Sequence, residues 1–367
     1  MNDRSRYIMV GGFLGAGKTT AIAKFAQHLS DSGKRIGLIC NDQSSGLVDT
    51  TLLKSKGFSV EEITGGCFCC RFNSLLEATQ NLTRASAPDF FLAEPVGSCT
   101  DLIATVSYPL RRIYGEQFSV APLSVLIDPT RAARILRLIE GRNFSYKVAY
   151  VYRKQLEEAD LIVVNKCDAY QPDFIEQVVS AVKTTFPRAQ VFVCSAKHGN
   201  GLDQWFSAVL SEDFVESQTL KIDYDAYAEG EALLGWLNCT VRLRSNQLFD
   251  GNQVLVTLVN DMRSRMEIQG SEIAHLKMTL DSQDGTGTLS AVSLVSNNEE
   301  PDLRESLLDR LTGGELIINL RAEADPSVLE SVTRDSVAAI NDINIETRIE
   351  HLEQFKPAKP VPTHRMT

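Results

Sequence analysis

The chain has 367 residues, 43% of them hydrophobic, and a formal net charge of −10, enough length and apolar content for two domains with separate cores. The acidic balance and the lack of any long Lys/Arg block exclude nonspecific nucleic-acid binding. No apolar run approaches the ~20 residues that span a bilayer, and Met1-Asn2-Asp3-Arg4-Ser5-Arg6 passes straight into a strand without a signal-peptide core, so a cytoplasmic protein is expected, with neither nucleic acid nor membrane as partner.

Apolar strands are predicted near 6–10, 35–40, 58–63, 89–94, 120–127, 160–165 and 190–194. Helical patterns separate them near 18–30, 73–85, 129–140, 146–157, 172–186 and 201–210. This alternation predicts an α/β domain over residues 1–211, a doubly wound and mostly parallel sheet that binds ligands at its strand carboxyl ends. The acidic stretch 212–234 reads as a linker. A smaller α+β unit is expected over 235–355, with a first strand near 235–241 and a helix near 252–267. Strands near 272–280, 288–295 and 316–320, a helix over 326–340 and a last strand near 345–351 complete it, an order related to split β-α-β folds. Trp236 reads as core, with His275, Lys277, Asn319 and Arg321 alternating outward along strands. The Pro-containing tail 356–367 is expected to be disordered.

Residues 12–19, GFLGAGKT, form a complete G-x-x-x-x-G-K-T phosphate loop directly after the apolar run Tyr7-Ile8-Met9-Val10. In such a loop backbone N–H groups and a helix dipole converge on phosphate oxygens. Gly12, Gly15 and Gly17 permit close backbone approach, with Ala16 between the last two and Thr20 following on the helix. Lys18 is placed to reach the β- and γ-phosphates, and the Thr19 hydroxyl to take a position on Mg²⁺. Thus Gly12, Gly15, Ala16, Gly17, Lys18, Thr19 and Thr20 are the candidate phosphate-side residues.

The strand Leu161-Ile162-Val163-Val164 runs into Asn165-Lys166-Cys167-Asp168, an N-K-x-D pattern. The Asp168 carboxylate can accept from N1–H and the C2 amino group of guanine, and adenine has no such amino group. About thirty residues on, Ser195-Ala196-Lys197 follows another apolar strand and matches the S-A-K element that backs the base. Two base-side motifs downstream of a phosphate loop favour GTP over ATP.

Between these motifs lies Gly65-Gly66-Cys67-Phe68-Cys69-Cys70. Three thiols within four residues make a soft, polydentate site suited to Zn²⁺, Cu(I), Co²⁺ or Ni²⁺, provided the backbone aims Cys69 and Cys70 the same way. In a reducing compartment the eight cysteines of the chain stay unpaired, so this cluster reads as ligands and not as part of a disulfide framework. Cys40, Cys99, Cys167, Cys194 and Cys239 are scattered and read as small core or strand-end residues, although Cys40 and Cys99 sit near motifs.

GFLGAGKTT, GGCFCC, EPVG, NKCD and SAK together resemble the CobW-like family of P-loop GTPases, relatives of the nickel-insertion GTPases of urease and hydrogenase maturation. The resemblance covers roughly the first 210 residues. Glu94-Pro95-Val96-Gly97 matches the family's E-x-x-G, whose Glu stands near Mg²⁺; Val125-Leu126-Ile127-Asp128 matches its V-x-D strand; Gln155 to Asp160 matches its Q-x-x-x-A-D approach. What the resemblance implies is GTP hydrolysis coupled to delivery of a transition metal or metal cofactor to a client metalloprotein. Zn²⁺ or Co²⁺ is the expected cargo, held by Cys67, Cys69 and Cys70, with Mg²⁺ on Thr19 and Glu94. The segment Asn41-Asp42-Gln43-Ser44-Ser45-Gly46 replaces the acidic N-E-F-G-E of many relatives, and no histidine-rich stretch is present. Lys18, Asp42 and Glu94 are the candidate catalytic residues: charge neutralisation, water orientation, and action through the metal ion or its water shell. A nucleotide-dependent homodimer suits the wider class. Two other readings stay open: a GTP-regulated activator of a metallo- or corrinoid enzyme that carries no metal itself, and a small-molecule kinase.

Overall fold

The computed structural model describes residues 4–41, 48–140, 144–211, 219–283 and 288–366. Asp42 lies outside them. The described chain forms two compact units, the first built from residues up to 41, 56–227 and 359 onward, the second from 48–55 and 228–358.

In chain order the elements up to the second unit are β1 (Ser5–Gly12), α1 (Lys18–Asp31), β2 (Ile36–Asn41), α2 (Val48–Ser55), β3 (Val60–Ile63), α3 (Phe72–Ser86) and β4 (Phe90–Glu94). A π-helical turn (Ile103–Ser107) runs into α4 (Tyr108–Tyr114), followed by β5 (Phe118–Val120), β6 (Ser124–Ile127), α5 (Pro129–Ile135), α6 (Tyr146–Glu158) and β7 (Leu161–Val164). A short 3₁₀ turn (Cys167–Ala169), α7 (Pro172–Thr185), β8 (Gln190–Val193), α8 (Leu202–Ser211) and α9 (Tyr224–Ala232) complete the series. The sheet order is β3-β2-β4-β1-β6-β7-β8, every pairing parallel, with β5 also beside β1. The central strands are continuous apolar runs because helices cover both faces; Leu161 to Val164 are all buried. α8 docks on α1 through the stacked rings of Phe206 and Phe25, 4.1 Å apart, and Trp205 donates from Nε1 to Ser124 Oγ on β6 at 2.9 Å. Each such buried aromatic contributes about 2 kcal/mol of transfer free energy.

Four features depart from the sequence expectation. The strand expected over 120–127 is two strands: β5 pairs with Ser5–Tyr7 and β6 with Val10–Gly12, and Pro122, which has no N–H to give a ladder, falls between them. The turn at Ile103 and α4 occupy a stretch where no element is expected. The span read as a linker contains α9. The segment expected to be disordered from residue 356 is described through Met366, and its backbone bonds the first unit: Thr363 N–H donates to Cys69 O at 2.8 Å and Met366 N–H to Ala104 O at 2.9 Å.

The second unit contains α2, β9 (Leu234–Phe249), α10 (Gly251–Ile268), β10 (Glu272–Asp281), β11 (Leu289–Leu294), β12 (Asp302–Glu305), β13 (Leu311–Glu323), α11 (Pro326–Ala339) and β14 (Glu346–Phe355). Its sheet is antiparallel in the order β12-β11-β10-β13-β9-β14. Leu237, Val241, Leu276 and Ile318 of the sheet share one core with Leu258 and Met262 of α10 and Leu329 of α11. Of the polar residues expected to point outward, Lys277 is partly exposed but the other three are not. His275, Asn319 and Arg321 are buried, and Arg321 lies 4.1 Å over the Trp236 ring while donating to Leu237 O at 2.7 Å. Asn319 joins Asn238 at 2.9 Å and accepts from the Val48 N–H of α2 at 3.0 Å, so this helix groups with the second sheet although its sequence interrupts the first. Among the described residues no helix is long and apolar enough to cross a membrane.

At the end of α6, Glu158 is fully enclosed and accepts from Thr100 Oγ1 at 3.0 Å and Ile103 N–H at 3.2 Å. Burial, reinforced by the nearby Asp101 charge, pushes its carboxyl up to about 8. The folded state therefore keeps a proton that the unfolded chain gives up, and this stabilisation is lost as pH rises from about 4.5 through 8. Glu158→Gln mimics the protonated carboxyl. Its melting temperature should match the parent near pH 4.5 and exceed it increasingly towards pH 8, by the equivalent of about 2–4 kcal/mol, as read by calorimetry across that range.

Candidate functional site

The phosphate loop leaves the carboxyl end of β1 and opens α1 at Lys18. Its glycines answer to space. A Cβ on Gly12 would stand 2.3 Å from Leu126 O, and one on Gly17, at φ +91°, would stand 2.4 Å from Asn165 Nδ2. Gly15 and Ala16 complete the turn, closed by Ala16 N–H to Phe13 O at 3.2 Å, and Thr20 follows on the first turn of α1. Lys18 is buried, donating from Nζ to Phe13 O at 3.3 Å and lying 4.0 Å from Glu94 Oε1.

Glu94 ends β4, next to β1 in the sheet. Thr19 donates its hydroxyl to Glu94 Oε1 at 3.1 Å. A hydroxyl and a carboxylate oxygen this far apart match neighbouring positions of an octahedron with ~2.1 Å bonds, whose edge is roughly 3 Å, so the donor set suits Mg²⁺. The loop after Glu94 is held from two sides. Leu14 of the phosphate loop packs against Gly97, and Gln155 of α6 donates from Nε2 to Gly97 O at 2.9 Å and Cys99 O at 2.8 Å.

The base-side motifs converge as their positions at strand ends require. Asn165 donates to Ala16 O at 2.9 Å and accepts from Ala196 N–H at 2.9 Å, while Cys167 N–H donates to Cys194 O at 3.1 Å. Asn165 thus joins the phosphate loop to Ala196, with Lys166 and Asp168 following it in the chain and Ser195 and Lys197 flanking Ala196. Lys166 sits in the left-handed region at φ +61° and bridges to Asp128 at 2.8 Å. Burial opposes ionisation of Asp128, but Lys166 and the Arg131 N–H outweigh it and hold the carboxyl below its usual range. Asp168 keeps a partly exposed carboxylate, 3.5 Å from His198 Nε2, and Ser195 Oγ accepts from His198 N–H at 3.1 Å.

Arg131 plays a part that local sequence does not announce. Buried against the Phe13 and Phe144 rings, it donates from Nη1 to Leu14 O at 2.8 Å. Its one sequence signal is its place three residues after Asp128, which caps α5 by accepting from the Arg131 N–H at 3.0 Å.

The three thiols converge as expected. Their sulfurs lie 2.8 Å (Cys67–Cys69), 3.2 Å (Cys67–Cys70) and 3.7 Å (Cys69–Cys70) apart. A turn in which the Cys70 and Arg71 N–H groups both donate to Cys67 O aims them together. Asn41, at the end of β2, steadies this loop by donating to Ile63 O at 3.1 Å and Gly66 O at 2.8 Å. Cys67 and Cys69 are buried and Cys70 is half-buried. Hydrogen bonds from Cys69 and Cys70 hold the Cys67 thiol well below its usual range, and the same bonding to Cys67, with burial adding to it, pushes Cys69 well up and Cys70 up to about 11.

The carboxy-terminal segment crosses this cluster. Val361 N–H donates to Cys70 Sγ at 3.2 Å and Thr363 Oγ1 to Cys70 O at 3.1 Å. Arg365 anchors the crossing by donating to Asp101 Oδ2 at 2.8 Å and Leu220 O at 2.8 Å.

With this geometry in view, a family model described as the CobW/HypB/UreG nucleotide-binding domain matches residues 6–193, more than half of the chain. The chain belongs to the CobW/HypB/UreG family. Among its curated relatives, a zinc chaperone CobW from Sinorhizobium is 30% identical over 214 residues, 52% of this chain and 58% of that protein. The zinc chaperone YeiR of Escherichia coli K12 is 29% identical over 172 residues, 46% of this chain and 48% of that protein. The CobW/HypB/UreG-family chain thus spans about half the length of the curated relatives it matches. Similar solved structures include Helicobacter pylori HypB in complex with nickel, at 18% identity and TM-score 0.43 over 59% of this chain and 93% of that one. Another is the Zn(II)-bound YjiA GTPase of Escherichia coli, at 16% identity and TM-score 0.39 over 92% of this chain and 99% of that one.

Deleting residues 359–367 from the family member should leave the fold intact and raise the alkylation rate of Cys70 several-fold over Cys67 and Cys69. Timed iodoacetamide labelling read by peptide mass spectrometry checks this; unchanged Cys70 labelling would mean that the carboxy-terminal segment does not shield the thiol.

Proposed function

We propose that this chain binds GTP with Mg²⁺, hydrolyses it, and uses the cycle to deliver a transition metal, Zn²⁺ or Co²⁺, to a client metalloprotein. The observation that carries the reading is a cluster of three sulfurs, all within 4.8 Å of one another, in the same compact unit as a complete phosphate loop. The curated relatives described as zinc chaperones support it.

In this reading Lys18 offsets charge on the β- and γ-phosphates once the nucleotide draws it away from Phe13 O. Thr19 and Glu94 hold Mg²⁺, which supplies Lewis-acid neutralisation when bound. Asp168 accepts from the guanine N1–H and amino group, while Ser195, Ala196 and Lys197 back the ring. Cys67, Cys69 and Cys70 hold the cargo. Asn41 ends β2, from which the chain runs towards Asp42, and also bonds the thiol loop, so a change in nucleotide state at that strand end reaches the sulfurs through one side chain. Linkage then requires metal and nucleotide to alter each other's affinity by the same factor.

Two measurements test the proposal. Zinc affinity determined by competition with a chromophoric chelator should differ at least fivefold between the GDP form and the form with a non-hydrolysable GTP analogue, and equal constants would remove the coupling. Asp168→Asn replaces an acceptor with a donor, so GTP binding should weaken at least about 100-fold while xanthosine triphosphate gains. Calorimetric titration showing unchanged GTP affinity in that variant would remove Asp168 from the base site.

A further inference from the structure

The carboxy-terminal segment is fastened over the thiol loop at one strong point and several weak ones. Asp101 is 1% exposed and held in the left-handed region at φ +65°. Its Oδ2 accepts from Tyr224 Oη at 2.6 Å and from Arg365 Nε at 2.8 Å, and its Oδ1 has no partner among the described residues. A buried carboxylate is stable as an anion only beside a cation, and Arg365 supplies that cation from 264 positions later while Nη2 donates to Leu220 O at 2.8 Å. The weaker contacts are mostly backbone bonds. Val361 N–H meets Cys70 Sγ, Thr363 N–H meets Cys69 O, Met366 N–H meets Ala104 O, the His364 ring stands edge-on to Phe72 with centroids 5.1 Å apart, and Lys359 pairs with Asp225. Val361 is 72% exposed, and hydrogen bonds that water can replace hold little each. Pro357, Pro360 and Pro362 fix φ at three positions, so a released segment stays extended and returns with little freedom to lose.

We propose that residues 359–366 are a latch, closed by Arg365 on Asp101, and that its opening sets the rate at which an ion enters or leaves the cluster past Cys70. The inference rests on the reading that Cys67, Cys69 and Cys70 hold the cargo. Cys67 and Cys69 are buried and Cys70 is half-buried, so the way to the ion runs past Cys70. The segment lies across that way with the Val361 N–H on the Cys70 sulfur and the Thr363 hydroxyl on the Cys70 carbonyl. Both contacts break when it lifts. Lifting also leaves the Asp101 carboxylate buried without its cation, which is unfavourable, so the closed form prevails at rest. A sulfur bound to a metal keeps lone pairs that accept an N–H, so the Val361 bond is compatible with a held ion and takes no coordination position. The latch therefore slows exchange and leaves the affinity for the ion nearly as it was.

The test uses the full chain. Arg365→Ala removes the fastening, and Arg365→Lys keeps the charge but loses the two-pronged bond. In metal-free protein, iodoacetamide should label Cys70 at least about tenfold faster in Arg365→Ala than in the parent, with Arg365→Lys between them. Zinc removal by excess chelator should accelerate by a similar factor, while zinc affinity at equilibrium changes less than about threefold, short of the roughly 10–100-fold that loss of a ligand's supporting contact costs. Hydrogen exchange on the unsubstituted protein needs no variant to fold: the amides of Val361, Thr363 and Met366 should exchange together, as one opening unit. Unchanged Cys70 labelling in Arg365→Ala, or amides that exchange independently, overturns the latch. Zinc affinity that falls in step with the faster removal overturns it too, because the segment then supports a ligand and does not gate it. A protein that binds no zinc, yet uncovers Cys70 in Arg365→Ala, sinks the cargo reading and leaves a cover over a thiol with no ion to pass.

Discussion

The carboxamide of Asn165 sets the terms on which the first unit works. It is buried where bare loops from three strands meet, and each of its ends completes a different loop: the amide nitrogen takes Ala16 O, the oxygen takes Ala196 N–H. Without it a carbonyl and an N–H would lie buried with no partner, each costing about 1–3 kcal/mol. The same side chain fills the space where a Cβ on Gly17 would stand. The phosphate-loop, N-K-x-D and S-A-K segments are therefore tied through one side chain, and Arg131 and Gln155 extend the tie by joining α5 to Leu14 and α6 to the loop after Glu94.

Much of this was legible because its signals are local. The phosphate loop, N-K-x-D and S-A-K are each short, each follows an apolar strand, and the parallel sheet had only to bring strand ends together. The convergence of Cys67, Cys69 and Cys70 was legible for the same reason. What stayed hidden depends on partners far along the chain. Val48 finds Asn319 across 271 positions, so nothing in its neighbourhood says that α2 belongs with the second sheet. His275 and Arg321 match an alternating strand pattern that predicts exposure, yet both are buried, Arg321 because an indole face and a carbonyl satisfy it. The tail was expected to be disordered from its prolines, and its partners, Asp101 and the Cys69–Cys70 backbone, lie more than two hundred residues earlier.

Asn165 was read as part of a base motif, and its geometry gives it a structural duty, joining Ala16 to Ala196. The same holds for Gln155, whose amide bonds two carbonyls of the loop that carries Cys99. In both cases a short polar side chain at a strand or helix end supplies hydrogen bonds that loop backbone cannot make for itself. Residues of this kind mark motifs because they hold loops in place, whether or not they touch ligand.

The thiol cluster is uneven in its exposure: Cys67 and Cys69 are buried, while Cys70 is half-buried and covered in part by the carboxy-terminal segment, which would have to lift for a donor to reach it. In the proposed reading, a donor on another molecule would meet a held ion from the Cys70 side. Exchange would then proceed by stepwise substitution beginning at one corner, with the enclosed sulfurs the last to let go, so an ion could pass between proteins without ever being released into water.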